Sequence, residues 1–86
     1  MSSKTKTLDD GLDAYKQRNF SDAAEIWTTL ATQGNSAAQF NLGIMYKDGI
    51  GVPHNHVEAI KWLTKSSNQG HEHAGLIVSV LDEKSE

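Results

Sequence analysis

Two histidine pairs are the residues of this 86-residue chain whose spacing first suggests chemistry. The pairs are His54/His56 and His71/His73, each separated by one residue. Helical histidines that share a metal ion are normally four residues apart, because side chains two residues apart point about 200° away from each other. The chain has no cysteine to complete a thiolate site. We therefore predict that the four histidines lie in loops or helix caps, where protonation near pH ~6 would tune a contact. Metal binding by these histidines is kept as a minor alternative.

The segment Gly49-Ile50-Gly51 is the second feature that could carry chemistry, because glycine-rich loops can hold a phosphate. Such a cradle follows a strand and usually includes a lysine, whereas here Pro53 removes one of the backbone amides. A Ser-His-Asp arrangement lacks the sharp strand-to-helix turn that exposes a nucleophile. The sequence predicts a loop at 49–53, no catalytic residues, no cofactor and no enzyme activity.

Charge and hydropathy exclude several classes of partner. The net charge is −3, and the eight lysines and arginines are scattered along the chain without a basic run. Nucleic acids and anionic membrane surfaces are therefore poor candidates. The longest apolar run, Leu76-Ile77-Val78, is too short to span a bilayer, and the N-terminus lacks the apolar region of a signal peptide. We expect a cytoplasmic protein, or a periplasmic one if a signal was removed.

A repeated segment shows which elements must position these residues. Residues 33–38 return as 69–74, so that Gly34 and Gly70, and likewise Ala38 and Ala74, are 36 residues apart. A fixed period in this range is typical of helical solenoids, in which each unit buries its apolar face against its neighbours. Such proteins usually work by offering a surface.

Helical periodicity and capping residues divide the chain into five helices. We predict them at 7–17, from the cap at 21 to about 33, at 37–47, at 56–68 and from 72 to about 83. Ser21, Ser36 and Asn55 are the expected N-caps, while Gly34 and Gly70 end the second and fourth helices in the left-handed conformation. The prediction is an all-α fold of two helical hairpins plus one terminal helix.

One stretch of about 37 residues carries a family pattern. Its members are Ala38, Leu42, Gly43, Tyr46, Gly49, Gly51, Val52, Glu58, Ala59, Trp62, Gln69, Gly70 and Ala74. This pattern resembles the Sel1-like repeat, a longer-looped relative of the tetratricopeptide repeat. Small residues such as Gly43 would let the helix axes approach closely. The pair Ser66-Ser67 replaces the two alanines usual in the family, which suggests looser packing there.

The first hairpin is similar to a plain tetratricopeptide unit, through Gly11, Tyr15, Phe20, Ala23 and Trp27. The resemblance implies a short right-handed α/α superhelix that makes protein–protein contacts, often in bacteria, without shared catalytic residues. The expected organisation is a flexible N-terminus (1–6), a tetratricopeptide-like hairpin (7–34), a Sel1-like repeat (35–70), a capping or half-repeat helix (71–83) and a tail (84–86).

In stacked hairpins of this kind the first helix of each pair lines the concave surface. Six apolar residues fall in equivalent places on these helices: Leu8, Leu12, Phe40, Ile44, Leu76 and Val80. They could form an apolar groove for a partner's amphipathic helix or extended segment, or they could bury each other in a tightly curved solenoid. Mutual burial is the interpretation for Leu8, Leu12 and Phe40. A partner surface is the interpretation for Ile44, Leu76 and Val80, because no later helix would cover the fifth one.

The predicted partner-binding residues are therefore Leu12, Tyr15, Phe40, Ile44, Lys47, Leu76 and Val80. The primary hypothesis is a small non-catalytic module that binds another protein, as a bacterial adaptor, regulator or inhibitor. The alternative is a structural homodimer in which the terminal helices complete each other's solenoid.

Overall fold

The computed structural model describes residues 5–83, and this part of the chain folds into five α-helices without a β-strand. The helices are α1 (Leu8–Lys16), α2 (Phe20–Thr32), α3 (Ser36–Asp48), α4 (His56–Asn68) and α5 (Glu72–Glu83). Each helix packs mainly on its neighbours along the chain. The predicted all-α fold of two hairpins and a terminal helix is confirmed. The predicted N-terminus (1–6) and tail (84–86) lie largely outside the described residues, and the domain boundaries stay a prediction.

The first hairpin closes where α1 carries a glycine against a tryptophan of α2. A Cβ on Gly11 would overlap the indole of Trp27, which is almost fully buried. The indole Nε1–H donates to the carbonyl of Leu8 at 3.3 Å. The Tyr15 ring lies 4.9 Å from that of Phe20 and 5.8 Å from that of Trp27, between ring centroids. An aromatic cluster therefore holds α1 against α2.

Two predicted N-caps are wrong by one or two residues. The helix expected to be capped by Ser21 begins one residue before it, with Asn19 at the cap and no side-chain hydrogen bond. The helix expected to be capped by Ser36 is capped by Asn35, whose Oδ1 accepts the N–H of Ala38 at 2.8 Å. In both cases the cap is an asparagine that stands one or two residues before the predicted serine. Both residue types suit this position.

Asn55 caps α4 as predicted, and its Oδ1 accepts the N–H of Glu58 at 3.0 Å. Its own backbone N–H donates to the carbonyl of Tyr46 at 3.0 Å, which ties the start of α4 to the end of α3. The loop between these helices contains Gly49 and Gly51, both with positive φ. A Cβ on Gly51 would lie 2.5 Å from the carbonyl oxygen of Phe20, so this loop packs closely on the start of α2.

The second hairpin repeats the close approach of the first. A Cβ on Gly43 would lie 2.6 Å from Cγ of Leu63 and 3.3 Å from the carbonyl oxygen of Ala59. Leu63 and Ala59 are fully buried. Leu63 stands 36 residues after Trp27. In both hairpins a glycine of the first helix thus faces a large buried side chain of the second.

Polar side chains connect α3 to the end of α4, and they overturn the expectation of looser packing at the serine pair. Ser66 is fully buried, and its hydroxyl donates to the carbonyl of Ser36 at 2.9 Å. The two hydroxyls lie 3.0 Å apart. Gln69 Nε2 donates to Gln39 Oε1 and to the carbonyl of Gly34, each at 2.9 Å. Serine at position 66 makes a bond that alanine could not make.

The same register shows that α5 is not built like α3 on the side that receives a following helix. Three of the α3 residues that contact α4 or its C-cap are Ser36, Gln39 and Gly43. The residues 36 positions later are Glu72, Gly75 and Ser79, of which Glu72 and Ser79 are exposed. Whether α5 is a capping helix or a half-repeat stays a prediction from the sequence.

Candidate protein-binding surface

The face formed by α1, α3 and α5 carries two grooves lined mainly by apolar side chains. The first groove lies between α1 and α3 and has a cavity volume of about 200 Å³. Its lining comprises Leu12, Tyr15, Trp27, Phe40, Asn41, Ile44, Met45 and Ile50. Trp27 and Met45 are buried and form its floor, whereas Leu12 is 41% exposed at its edge. The groove is thus an opening directly above the core of the first hairpin.

The second groove lies between the end of α3 and α5 and has a cavity volume of about 410 Å³. Its lining comprises Lys47, His73, Leu76, Ile77, Val80 and Leu81. Leu76 is 68% exposed and Val80 50% exposed, and they lie one turn apart on α5. The ammonium group of Lys47 is paired with Asp48 at 2.8 Å. This groove is therefore apolar along α5, with a paired charge at its edge.

A stack of three rings separates the two grooves. The ring of Phe40, which lines the first groove, is stacked on that of His71 with centroids 4.4 Å apart. The ring of His73, which lines the second groove, is tilted towards Phe40 at 5.3 Å. Because these rings contact each other, the two grooves lie on one continuous face of the molecule.

All seven residues that the sequence suggested for partner binding line these grooves. Leu12, Tyr15, Phe40 and Ile44 line the first, and Lys47, Leu76 and Val80 line the second. Mutual burial suits Leu8 and Phe40, which are half-buried, but it is wrong for Leu12. The sequence reasoning missed Ile50, which it had assigned only to a loop.

The repeat places Leu76 and Val80 where α3 has Phe40 and Ile44, since they stand 36 residues later. Phe40 is half-buried and is contacted by His71 and His73 at the start of α5. Leu76 and Val80 are exposed in the equivalent places on α5.

The histidines occupy four different environments. His54 is exposed in the loop before α4, whereas His56 is the first residue of α4 and its Nε2 is buried without a hydrogen-bond partner. His71 and His73, at the start of α5, both contact the ring of Phe40. Within residues 5–83 no group of three or more His, Cys, Asp or Glu side chains is arranged to hold a metal ion. The metal alternative gains no support from this geometry.

Length and hydropathy of the helices bear on membrane insertion. None of the helices in the described range is long and apolar enough to span a bilayer.

Comparison with known families concerns the second hairpin and the residues that join it to α5. The family model described as "Sel1 repeat" matches residues 36–71. The chain contains a Sel1 repeat. The match runs from the first residue of α3 through α4 to the residue before α5. It therefore includes the Gly43–Leu63 contact and the Ser36–Ser66 and Gln39–Gln69 hydrogen bonds. The resemblance drawn from the sequence is confirmed.

Two curated relatives are similar to part of this chain. A Sel1-like repeat-containing protein of Acanthamoeba polyphaga mimivirus is 51% identical over 47 residues, or 55% of this chain. The DAP3-binding cell death enhancer 1 of Rattus norvegicus is 40% identical over 52 residues, or 60% of this chain. The chain spans only 8% and 10% of the lengths of these two relatives. No solved structure matches the chain significantly. Sel1 repeats are in general protein–protein interaction modules and typically non-catalytic.

Proposed function

We propose that this chain binds a partner protein through the two grooves on the face of α1, α3 and α5. The observation that carries the proposal is the exposure of Leu76 and Val80 beside a groove of about 410 Å³. Exposed apolar side chains scattered singly are normal, but neighbouring ones along a groove are typical of interaction sites. The occurrence of a Sel1 repeat supports the same class of function.

The energy of binding would come from burial of these side chains. Complete burial of a leucine or valine side chain contributes about 1.5–3 kcal/mol, and about 1.4 kcal/mol corresponds to a tenfold change in affinity. Asn41 and Lys47 provide polar atoms at the grooves and would help to set the register of the partner. A partner segment with apolar residues on one side, helical or extended, fits this surface.

The proposal is tested by substitutions at the most exposed groove residues, because these should leave the fold intact. Leu12→Glu probes the first groove and Leu76→Glu the second. Val57→Glu is the matched control, since Val57 is 73% exposed on α4 and lines neither groove. Partner capture should fall more than about tenfold for the groove variants. Equal capture by all three variants, with unchanged helicity, would place the binding surface elsewhere.

The biological role that we propose is that of a non-catalytic adaptor, regulator or inhibitor, which covers or connects a surface of its partner. This role rests on the grooves and on the general use of Sel1 repeats. Bacterial origin and a cytoplasmic location stay predictions from the sequence, and the two relatives come from a virus and a mammal.

A homodimer is the second candidate, favoured by the exposure of Leu76 and Val80 on one helix. Two copies could pack these α5 residues against each other around a two-fold axis. Light scattering over a range of concentrations tests this directly. A constant mass of 9.4 kDa at high concentration would exclude the homodimer and leave the separate partner.

A further inference from the structure

His71 occupies the N-cap of α5, a position that asparagine occupies in the two preceding helices. Its Nδ1 accepts the N–H of Ala74 at 3.2 Å, and its carbonyl accepts the N–H of Gly75 at 3.3 Å. Asn35 and Asn55 make the same two bonds at the starts of α3 and α4, to the third and fourth following residues. His71 also stands 36 residues after Asn35, so the repeat has replaced an amide cap by an imidazole.

An imidazole differs from an amide at this position because its accepting nitrogen can bind a proton. Nδ1 of His71 accepts a hydrogen bond only while it carries no proton, whereas the amide oxygen of asparagine accepts at any pH between 5 and 8. Protonation turns Nδ1 into a donor that faces the N–H of Ala74. It also places a positive charge at the positive end of the helix dipole. The charged form of His71 therefore loses the cap in two ways.

The groups around His71 come from three helices, α3, α4 and α5. On α5, the carboxylate of Glu72 lines the same recess as His71, and His73 is the next titratable group. From α3, the uncharged ring of Phe40 is stacked on the imidazole. From α4, Ser67 lines this recess and the carbonyl of Ser66 accepts the backbone N–H of His71 at 3.2 Å. Lys47, which shares the second groove with His73, is paired with Asp48.

Two of these neighbours favour the charged imidazole, but neither can replace the lost bond. Glu72 is exposed, so its attraction is screened by solvent. The face of Phe40 attracts a cation, yet it offers no acceptor to the N–H of Ala74. The first turn of α5 is therefore capped only when His71 is neutral.

We propose that His71 is a pH-sensitive cap that couples the docking of α5 to acidification. Between pH ~7.5 and ~5.5, imidazoles change charge while carboxylates and lysines ordinarily do not. Acidification would release the first turn of α5 from its cap. Since α5 supplies most of the second groove, acid would also weaken binding there, a consequence that rests on the proposed function.

The test is amide hydrogen exchange by NMR on the full chain at pH 7.5 and 5.5, corrected for the intrinsic rates. The residues to follow are Ala74 and Ile77, in the first turns of α5. In the wild type, loss of the cap should lower their protection about fivefold on acidification, the size expected for a missing N-cap. His71→Asn keeps an accepting side chain that does not titrate, so its protection should stay constant.

His73→Asn is the control, because it removes the other histidine at Phe40 while the cap remains. This variant should lose protection on acidification as the wild type does. Equal loss in His71→Asn and the wild type, or no loss in the wild type, would overturn the proposal. The measurement needs no partner, so a negative result would leave the grooves as a binding site. Conversely, a failure to detect partner capture would not count against the proposal of a pH-sensitive cap.

Discussion

Single glycines determine how closely the helices of each hairpin approach. Gly11 faces Trp27 and Gly43 faces Leu63, and a Cβ at either glycine would overlap its neighbour. The role of Gly43 in close packing was predictable from the sequence, because a small residue opposite a large apolar one indicates a short distance between axes. The sequence predicted loop or cap positions for the histidines without singling out His71, although it stands where the repeat has Asn35. The spacing of the histidines argued only against a shared metal ion, and the hydrogen bond from Ala74 to Nδ1 of His71 is seen only in the geometry.

The close contact at Gly43 predicts that a glycine-to-alanine substitution there lowers the stability more than the same substitution at Gly75. Gly43→Ala places a methyl group 2.6 Å from Cγ of the fully buried Leu63, which has no room to move. We expect the free energy of unfolding to fall by about 1–3 kcal/mol, as for other overpacked cores. Urea denaturation followed by circular dichroism measures it.

Gly75→Ala is the matched control for this prediction. Its new methyl group would meet mainly the hydroxyl of Ser67 at 2.9 Å, which can rotate away. The higher helix propensity of alanine, up to about 1 kcal/mol, should then offset the contact. If both variants lost the same stability, close approach at Gly43 would not be a special feature of the hairpin.

At the scale of elements, the number and order of the helices were predictable from periodicity and from the glycines that end them. Two helix starts were not, because serine and asparagine are adjacent or nearly so and both suit an N-cap. The neighbouring helix decides which residue caps α3. The hydroxyl of Ser36 contacts that of Ser66 on α4, so Asn35 accepts the hydrogen bond at the cap. Such a choice is made by tertiary contact, and the local sequence does not contain it.

The junction of α3 and α4 gives a second prediction, based on two equivalent glutamines. Gln69 donates to Gly34 and to Gln39, and Gln39 is almost fully buried. Gln69→Ala should lower the free energy of unfolding by about 1–3 kcal/mol, because it leaves the buried Oε1 of Gln39 without this partner. Denaturation in urea is again the measurement.

Gln33→Ala is the control, since Gln33 holds the equivalent position after α2 and is exposed. This change should alter the stability by less than about 0.5 kcal/mol. A loss of similar size in both variants would contradict the view that the Gln39–Gln69 bond connects the helices.

At the scale of the whole molecule, stability should be distributed along the chain in the manner of a solenoid. α3 lies between α2 and α4, whereas α5 packs chiefly on α4. Elements with fewer neighbours open at lower free energy. At pH ~7.5 we therefore expect amides of α3 to be protected at least about tenfold more than those of α5. Equal protection in the two helices, measured by hydrogen exchange, would indicate one cooperative unit instead.

The groove face was partly predictable at this scale. The register of the repeat identified five of the seven suggested residues, because equivalent positions on successive first helices share one face: Leu12, Phe40, Ile44, Leu76 and Val80. It did not give the depth of the grooves or the stacked rings between them, because these depend on how Phe40 meets the start of α5. The exposure of Leu12 was also mistaken, since sequence position alone does not show how open the first groove is.

Site-specific photo-crosslinking tests the central claim, that these grooves bind a partner, most directly. A photoreactive phenylalanine analogue is placed at Leu76, in the second groove, or at Val57. Val57 is similarly exposed, but it lies on α4 and lines neither groove. Irradiation in cells of the source organism is followed by mass spectrometry of the adducts. We predict a discrete adduct with one protein, or with a second copy of this chain, from position 76 and none from position 57. Equal labelling from both positions, or labelling from position 57 alone, would contradict the account.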